Sequence, residues 1–281
     1  MAQDTLKHDL MAAVASGRLV IVTGTGVTAS ATSNQQIDGH SVCSWVGLLR
    51  HGVWTLLETH GLIAAAKHDR LIANVASGEL DEMVAVGEII SDSLKKKRPG
   101  DYHRWLKDSV GALNPTSPEI VRVLGQLGGL LTTLNYDGVL EQVLARISVT
   151  WRDRDRAEQL LRGELHNAVL HLHGYFDSPD SIVLGIREYE KVLNDPHLQT
   201  VLRSFLLQNT LLFVGCGGTV TDPNFSRLID WAKPTLADST HRHYILCREG
   251  ELENYREDAR DAPWLHPLAY GSRCVPSQSP F

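Results

Sequence analysis

Two apolar runs that each lead into a glycine-rich turn constrain the fold of this chain most. Leu19–Thr23 leads into Gly24-Thr25-Gly26, and Leu211–Val214 leads into Gly215-Cys216-Gly217-Gly218. Short apolar runs of this kind are typical of parallel strands that are buried on both faces. Because glycine lets a backbone approach a bound molecule closely, both turns are candidate ligand-binding loops.

Predicted strands alternate with predicted helices over most of the chain. This alternation favours an α/β fold built on a Rossmann-like, doubly wound parallel sheet. Further strands are predicted at Leu130–Thr133, Ile147–Thr150, Val169–Leu172, Ile182–Leu184 and His243–Leu246. Helices are predicted at Leu6–Ser16, Ser44–Thr59, Ile120–Leu127, Asp137–Ala145, Glu188–Leu193, Leu198–Leu207 and Asn224–Ala232.

Residues 61–114 differ from the rest of the chain because their apolar spacing predicts only helices. These helices cover Ile63–Val75, Leu80–Leu94 and Tyr102–Val110. The run Asn114-Pro115-Thr116-Ser117-Pro118 then marks the return to the sheet. We therefore predict one Rossmann-like domain made of residues 1–60 and 115–281, with residues 61–114 as a helical insertion.

The charge of the chain argues against a general nucleic-acid binder. It has 27 Lys and Arg against 33 Asp and Glu, which gives a net charge of -6. Strong direct binding of nucleic acid needs a basic face, so we do not expect it here. The one local basic run, Lys95–Arg98, is interpreted as a solvated helix end.

Cysteine usage and hydropathy point to a cytoplasmic protein. The four cysteines, Cys43, Cys216, Cys247 and Cys274, contain no C-x-x-C pair, so neither a zinc ribbon nor a disulfide framework is predicted. We expect no metal. Met1–Leu19 lacks the long apolar stretch of a signal peptide, and no window approaches about 18 consecutive apolar residues. We therefore expect no membrane partner.

The run Thr133-Leu134-Asn135-Tyr136-Asp137 places an amide and a carboxylate where a buried strand ends. In open parallel sheets, the ligand crevice lies beyond the carboxyl ends of the strands. Asn135 can orient a carboxamide or a water molecule, because its side chain both donates and accepts. Asp137 can accept a hydrogen bond from an amide of the ligand or cap the following helix, and the sequence leaves both roles open.

The run His171-Leu172-His173-Gly174 ends another predicted strand, and alternation puts both histidines on one face. The pair has three interpretations. In the first interpretation, the two histidines are a pair of metal ligands, although no third ligand is obvious. Alternatively, His173 is a general base presented by the turn at Gly174. The third interpretation is two satisfied polar side chains. The other pair, His241 and His243, is interpreted as structural.

The two glycine turns remain ambiguous by themselves. Gly24-Thr25-Gly26 is followed by Val27 and Thr28, so the third glycine of the dinucleotide fingerprint is missing, as is a P-loop lysine. The turn either binds a phosphate or is a tight loop without a ligand. In the later turn, Asp222 either bonds ribose hydroxyls or caps a helix near Asn224.

Taken in order, these motifs resemble the sirtuins. Their order is a strand with Gly-x-Gly, then Thr-x-Asn-x-Asp, then His-Gly, and finally a late glycine turn that closes on Asp222-Pro223-Asn224-Phe225. The likeness runs from about Leu19 to Tyr270. It is closer to the sirtuin-like domains of bacterial antiphage defence proteins, which hydrolyse NAD.

Two departures separate this chain from the protein deacylases among the sirtuins. Those enzymes commonly carry a four-cysteine zinc module, and this chain lacks the paired cysteines. Their first motif is Gly-Ala-Gly with a downstream Pro-Asp-Phe-Arg stretch, whereas Thr25 replaces the alanine here and that stretch is missing. Both departures favour an NAD hydrolase.

The resemblance implies that Asn135 and His173 are the catalytic pair and that NAD is the substrate. It also implies that phosphates lie at Gly24, Thr25, Gly26 and Thr28, the nicotinamide end near Asp137, and nucleotide near Gly215, Gly217 and Asp222. Two other functions stay open: an NAD-dependent protein deacylase, and a non-catalytic module that binds NAD or ADP-ribose.

Unrestrained hydrolysis of NAD harms the host cell, so such a domain must be held inactive. The resemblance implies activation by assembly, as a homo-oligomer and with a partner protein or a fused sensor. Residues 61–114 are the candidate lid or oligomer surface.

Overall fold

The computed structural model describes residues 3–98, 100–216, 233–234, 236, 241–258 and 264–271. The strands are β1 Leu19–Thr23, β2 Leu130–Thr133, β3 Ile147–Thr150, β4 Ala168–His171, β5 Thr210–Val214, β6 His243–Arg248 and β7 Leu265–Tyr270. The α-helices are α1 Gln3–Ala15, α2 Thr25–Ala31, α3 Trp45–Trp54, α4 Ala65–Ser77, α5 Leu80–Lys97, α6 Asp101–Asp108, α7 Glu119–Gln126, α8 Val139–Leu144, α9 Arg154–Leu161, α10 Ile186–Leu193, α11 Pro196–Gln208 and α12 Leu252–Asp258.

The strands form one parallel sheet in the order β3-β4-β2-β1-β5-β6-β7. The central strand β1 is buried along its whole length, as is β5. Both are apolar because helices cover both faces of a parallel sheet. The predicted Rossmann-like fold is confirmed.

The parallel register brings four strand ends to one edge. Thr23 pairs with Thr133 on one side of β1 and with Val214 on the other, and Thr133 pairs with His171. The residues that follow these strands therefore lie side by side at the carboxyl edge. This is the place where open α/β sheets bind ligands.

The strand predicted at Ile182–Leu184 is wrong. These residues follow a short 3-10 turn, Pro179–Ser181, and join no sheet. They are nonetheless fully buried, and the Val183 amide donates to the His173 carbonyl at 2.9 Å. A short apolar run indicates that a segment is buried, but it does not indicate that the segment pairs in a sheet. The strand prediction was wrong for this reason.

Other elements were only partly predicted. Strand β4 begins and ends one residue earlier than expected, and the sequence reading missed α9, α12 and β7. The predicted helix Asn224–Ala232 lies outside the described residues. Ser44 caps α3 as expected, because its hydroxyl accepts from the Gly47 amide at 3.0 Å.

The segment 61–114 contains α4, α5, α6 and a 3-10 turn at Val110–Ala112, with no strand among its described residues. Its apolar faces join the same core as the sheet. For example, Gly87 of α5 packs against the Leu184 carbonyl so closely that a side chain there would clash. No helix in the described part of the chain is long and apolar enough to cross a membrane.

Candidate active site

Asn135 lies just beyond β2 and is held by hydrogen bonds on several sides. Its side-chain Nδ2 donates to the Gly24 carbonyl at 3.0 Å and to Thr28 Oγ1 at 2.8 Å. Its backbone amide donates to Thr133 Oγ1 at 3.1 Å. Since both N–H groups of the amide are used, the side chain has one orientation.

Thr28 connects Asn135 with Asp137. The Thr28 hydroxyl accepts from Asn135 and donates to Asp137 Oδ2 at 2.8 Å. The other carboxylate oxygen of Asp137 accepts from the Val139 amide at 3.0 Å, so Asp137 also serves the start of α8. Burial raises the pKa of Asp137, and the bonds from Val139 and Thr28 limit that rise. Asp137 lies one residue before the N-cap, Gly138, and binds the first amide of α8.

The side-chain oxygen of Asn135, Oδ1, lies at the end of this network. Oδ1 is buried and has no hydrogen-bond partner among the described residues. Asn135 also lines a narrow cleft at the carboxyl edge. An unpaired buried acceptor is costly, which makes it a candidate contact for a ligand donor. The other lining residues are Thr25, Val42, Cys43, Ser44, Trp45, Leu48, Val110, Leu134, Tyr136 and Asp137.

His171 is fully buried and is satisfied by protein groups. Its Nε2 lies 2.6 Å from Glu141 Oε1 and its Nδ1 lies 3.1 Å from the Asn135 carbonyl. Burial alone lowers the pKa of His171, but the charge and hydrogen bond of Glu141, with the Asn135 carbonyl, outweigh it and leave the pKa raised. Both ring nitrogens are occupied, so His171 has no nitrogen left for a metal.

His173 lies two residues further on in different surroundings. It is buried, and its Nδ1 has no hydrogen-bond partner within the described ranges. Burial lowers its pKa to about 4, although a hydrogen bond with the Leu134 backbone acts in the opposite direction. His173 is therefore neutral at physiological pH and keeps a nitrogen lone pair. Leu134 directly precedes Asn135, so His173 is bonded to the backbone of the residue next to Asn135.

The glycine turns pack against each other. The Gly24 amide donates to the Val214 carbonyl at 2.9 Å, and the Gly26 amide donates to the Gly215 carbonyl at 2.8 Å. A Cβ on Gly24 would lie 2.8 Å from that same Gly215 oxygen, and Gly215 has a φ of +67°. The Gly24 and Gly26 amides are therefore engaged within the protein. The Thr25 amide takes no part in these bonds.

Two further predicted site residues, Gly217 and Asp222, lie outside the described residues. Sequence reasoning missed Glu141, which pairs with His171 across 30 positions. It also missed the role of Thr28, which it assigned to a phosphate. No local pattern marks either contact, because both depend on how strand ends and helices meet.

Residues 129–266 match the family model of the SIR2-like domain. This segment resembles a SIR2-like domain. It contains Asn135, Asp137, His171 and His173, whereas the first glycine turn precedes it. The sirtuin-like resemblance of the motifs is therefore confirmed by an independent comparison.

Two curated relatives also match part of the chain. The NAD(+) hydrolase ThsA of Enterococcus faecium is 28% identical over 127 residues, which are 44% of this chain and 26% of that protein. The NAD(+) hydrolase ThsA of Bacillus cereus (strain MSX-D12) is 29% identical over 123 residues, 42% of this chain and 25% of that protein. The match thus spans about a quarter of each relative's length.

The chemistry available in the SIR2-like domain is that of an amide and an imidazole. Across the described ranges, no group of three or more His, Cys, Asp or Glu side chains is arranged to hold a metal. The fixed Asn135 oxygen can accept a hydrogen bond, and the neutral His173 ring can accept a proton.

Proposed function

We propose that this protein is an NAD glycohydrolase that cleaves NAD to nicotinamide and ADP-ribose. The observation that carries the proposal is the Asn135 amide, whose two N–H groups are bound internally so that its oxygen is presented unpaired at the cleft. The SIR2-like domain and the relatives named NAD(+) hydrolase support the same substrate.

Asn135 Oδ1 acts as an acceptor only. It therefore holds a donor, either the amide N–H₂ group of the nicotinamide or the attacking water. Cleavage of the nicotinamide–ribose bond builds positive charge on the ribose. Fixed dipoles that point at this charge stabilise the transition state without reorganising during the reaction.

His173 acts as the general base. Its lowered pKa keeps the ring neutral, and its free nitrogen accepts a proton from a ribose hydroxyl or from water. We assign the proton transfer to His173 and not to His171, whose two nitrogens are engaged.

The remaining parts of NAD follow the sheet edge. We place the phosphates at the Gly24-Thr25-Gly26 turn, with Thr25 as the contacting residue. Gly24, Gly26 and Gly215 shape the turn, and Thr28 and Asp137 orient Asn135 near the nicotinamide end. Gly217 and Asp222 are proposed for a ribose.

The test is NAD turnover by the purified chain, with products separated by chromatography. Wild type should release nicotinamide and ADP-ribose without an acylated peptide, and Asn135→Ala and His173→Ala should each lose turnover. The control is His68→Ala, which removes a partly exposed histidine of α4. Turnover by either site variant at the wild-type rate would contradict the assignment. Turnover only with an acylated lysine peptide would indicate a deacylase.

We further propose that the protein is an effector in antiphage defence that acts by depleting NAD. The resemblance to defence proteins supports this role, as does the need to restrain such an activity. Cellular NAD should fall during phage infection with the wild-type chain and stay constant with His173→Ala. Equal NAD loss in both strains would contradict the role.

Assembly is the proposed form of control, with residues 61–114 as the contact surface or lid and a partner protein or fused sensor as the trigger. Gel filtration across a range of concentrations tests the homo-oligomer. A monomer throughout, alone and in infected-cell extract, would contradict it.

A further inference from the structure

A second cavity opens on the carboxyl edge of the sheet, beyond β3. Its volume is about 460 Å³, within the range of about 300–1,000 Å³ that is usual for small-molecule pockets. The walls come from Trp151 and Arg152 after β3, Arg154 at the start of α9, Lys191 in α10, and Asn194 and Asp195 between α10 and α11. None of these residues lines the cleft at Asn135.

The charge of this cavity is positive. Three cationic side chains face a single carboxylate, that of Asp195. That carboxylate is already engaged, since one oxygen accepts from the Leu198 amide at 2.9 Å and the other pairs with Arg154 at 3.0 Å. The charges of Arg152 and Lys191 are left without a carboxylate partner in the part of the chain that the structure describes.

Arg152 is held in place by an aromatic ring and not by an acid. Its guanidinium lies 4.8 Å from the centre of the Trp151 ring. A cation–π contact of this kind positions the guanidinium and leaves its N–H groups available. Among the described residues, the neighbouring Asp153 makes no ion pair with Arg152, and its Oδ2 accepts from the Thr150 amide and hydroxyl at 2.8 and 2.9 Å.

The wall of the cavity is fixed to the rest of the edge. The Trp151 indole is buried and donates to the Ser181 carbonyl at 2.7 Å. Ser181 in turn accepts from the Tyr175 amide at 3.1 Å. The cavity thus has a fixed aromatic base under Arg152, and Lys191 is a second cation in its lining. Such sites bind phosphate by charge-assisted hydrogen bonds.

We propose that this cavity binds a phosphate-bearing small molecule through Arg152 and Lys191, separately from the NAD site. Its size accommodates a nucleotide, whose phosphates meet the two cations. Arg154 lines the same site but is held by Asp195, so it contributes less. The ligand class is a nucleotide, and a free phosphate or pyrophosphate shares the charged half of the contact.

Titration calorimetry tests the proposal, with inorganic pyrophosphate and AMP as separate probes at low salt. Both probes should bind the wild-type chain and the Asn135→Ala variant alike, because the cavity does not use Asn135. Arg152→Gln with Lys191→Gln should weaken binding by about tenfold or more, since the variant removes both cations that meet the phosphates. Tighter binding of AMP than of pyrophosphate supports a nucleotide over free phosphate.

The matched control is Arg70→Gln with Lys107→Gln, which removes two exposed cations from α4 and α6. It should bind both probes as wild type does. Equal weakening in the two double variants would assign the effect to overall charge and overturn the site. Loss of binding in Asn135→Ala with retention in Arg152→Gln/Lys191→Gln would place the probes in the NAD cleft and also overturn it.

Discussion

His171 and His173 stand two residues apart and are equally inaccessible, yet their surroundings differ in every other respect. His171 is paired with Glu141 at 2.6 Å and with the Asn135 carbonyl, and its pKa is raised. His173 keeps an unpaired Nδ1, and its pKa is lowered to about 4. The difference teaches that, between two buried histidines, a neighbouring carboxylate decides whether the pKa is raised or lowered.

The largest expected effect separates the two histidines by rate. His173→Ala should lower kcat by about a thousandfold, roughly 4 kcal/mol of barrier, because it removes the general base. Its melting temperature should stay close to that of wild type. Nicotinamide release and differential scanning fluorimetry measure the two quantities on one preparation. A variant that unfolds and loses activity together would leave His173 no more catalytic than His171.

The second largest expected effect separates the two histidines by the free energy of unfolding. His171→Ala should cost about 3 kcal/mol of unfolding free energy, because it leaves the Glu141 carboxylate buried without its partner. Urea denaturation measures it. The double variant His171→Leu/Glu141→Leu should recover part of the loss, since it removes both charges. Additive losses in the double variant would show that the two side chains are not coupled.

The third effect tests the network that fixes Asn135. Thr28→Val should lower kcat by about ten- to a hundredfold, roughly 1.4–2.7 kcal/mol, because Asn135 loses an acceptor and Asp137 loses a donor. Thr28→Ser keeps the hydroxyl and should restore most of the activity. Steady-state kinetics with NAD compares the three proteins. Identical kcat in the valine and serine variants would remove Thr28 from the positioning network.

The smallest effect concerns pH and has opposite signs for the two histidines. The raised pKa of folded His171 gives stability that is complete below pH 6.5, the ordinary value, and is lost as the pH rises through the folded value. The lowered pKa of His173 means that the unfolded chain takes up its proton first, so stability is lost as the pH falls from 6.5 towards about 4. Each slope is at most about 1.4 kcal/mol per pH unit.

Subtracting the stability curve of each variant from that of wild type isolates these slopes. The curve of unfolding free energy against pH should be flatter than that of wild type on the alkaline side for His171→Gln. It should be flatter on the acidic side for His173→Gln. Urea midpoints between pH 4 and 9 give both curves. A common sign in the two difference curves would contradict the contrast between the histidines.

The dependence of kcat/KM on pH tests the same contrast between His171 and His173. With His173 as the base, kcat/KM should hold down to well below pH 6.5 and fall only towards pH 4, where the ring becomes protonated. An acid limb at pH 6.5 would indicate a solvated histidine instead.

The sequence by itself determined the sheet and the candidates at its edge. Six strands and the run of helices in 61–114 follow from apolar runs and spacing, because strands buried on two faces are apolar throughout. The motif order also determined the relationship to sirtuins. Residues 182–184 show the limit, since a buried apolar run there joins no strand.

Only the tertiary structure decided what each candidate does. Both histidines look alike in sequence, and Glu141, which sets them apart, comes from a helix 30 positions earlier. Likewise, Gly24 and Gly26 were expected to face a phosphate, but the fold uses their amides to join the two turns. These roles depend on which groups meet across the edge of the sheet, and the hydrogen bonds that assign them link residues far apart along the chain.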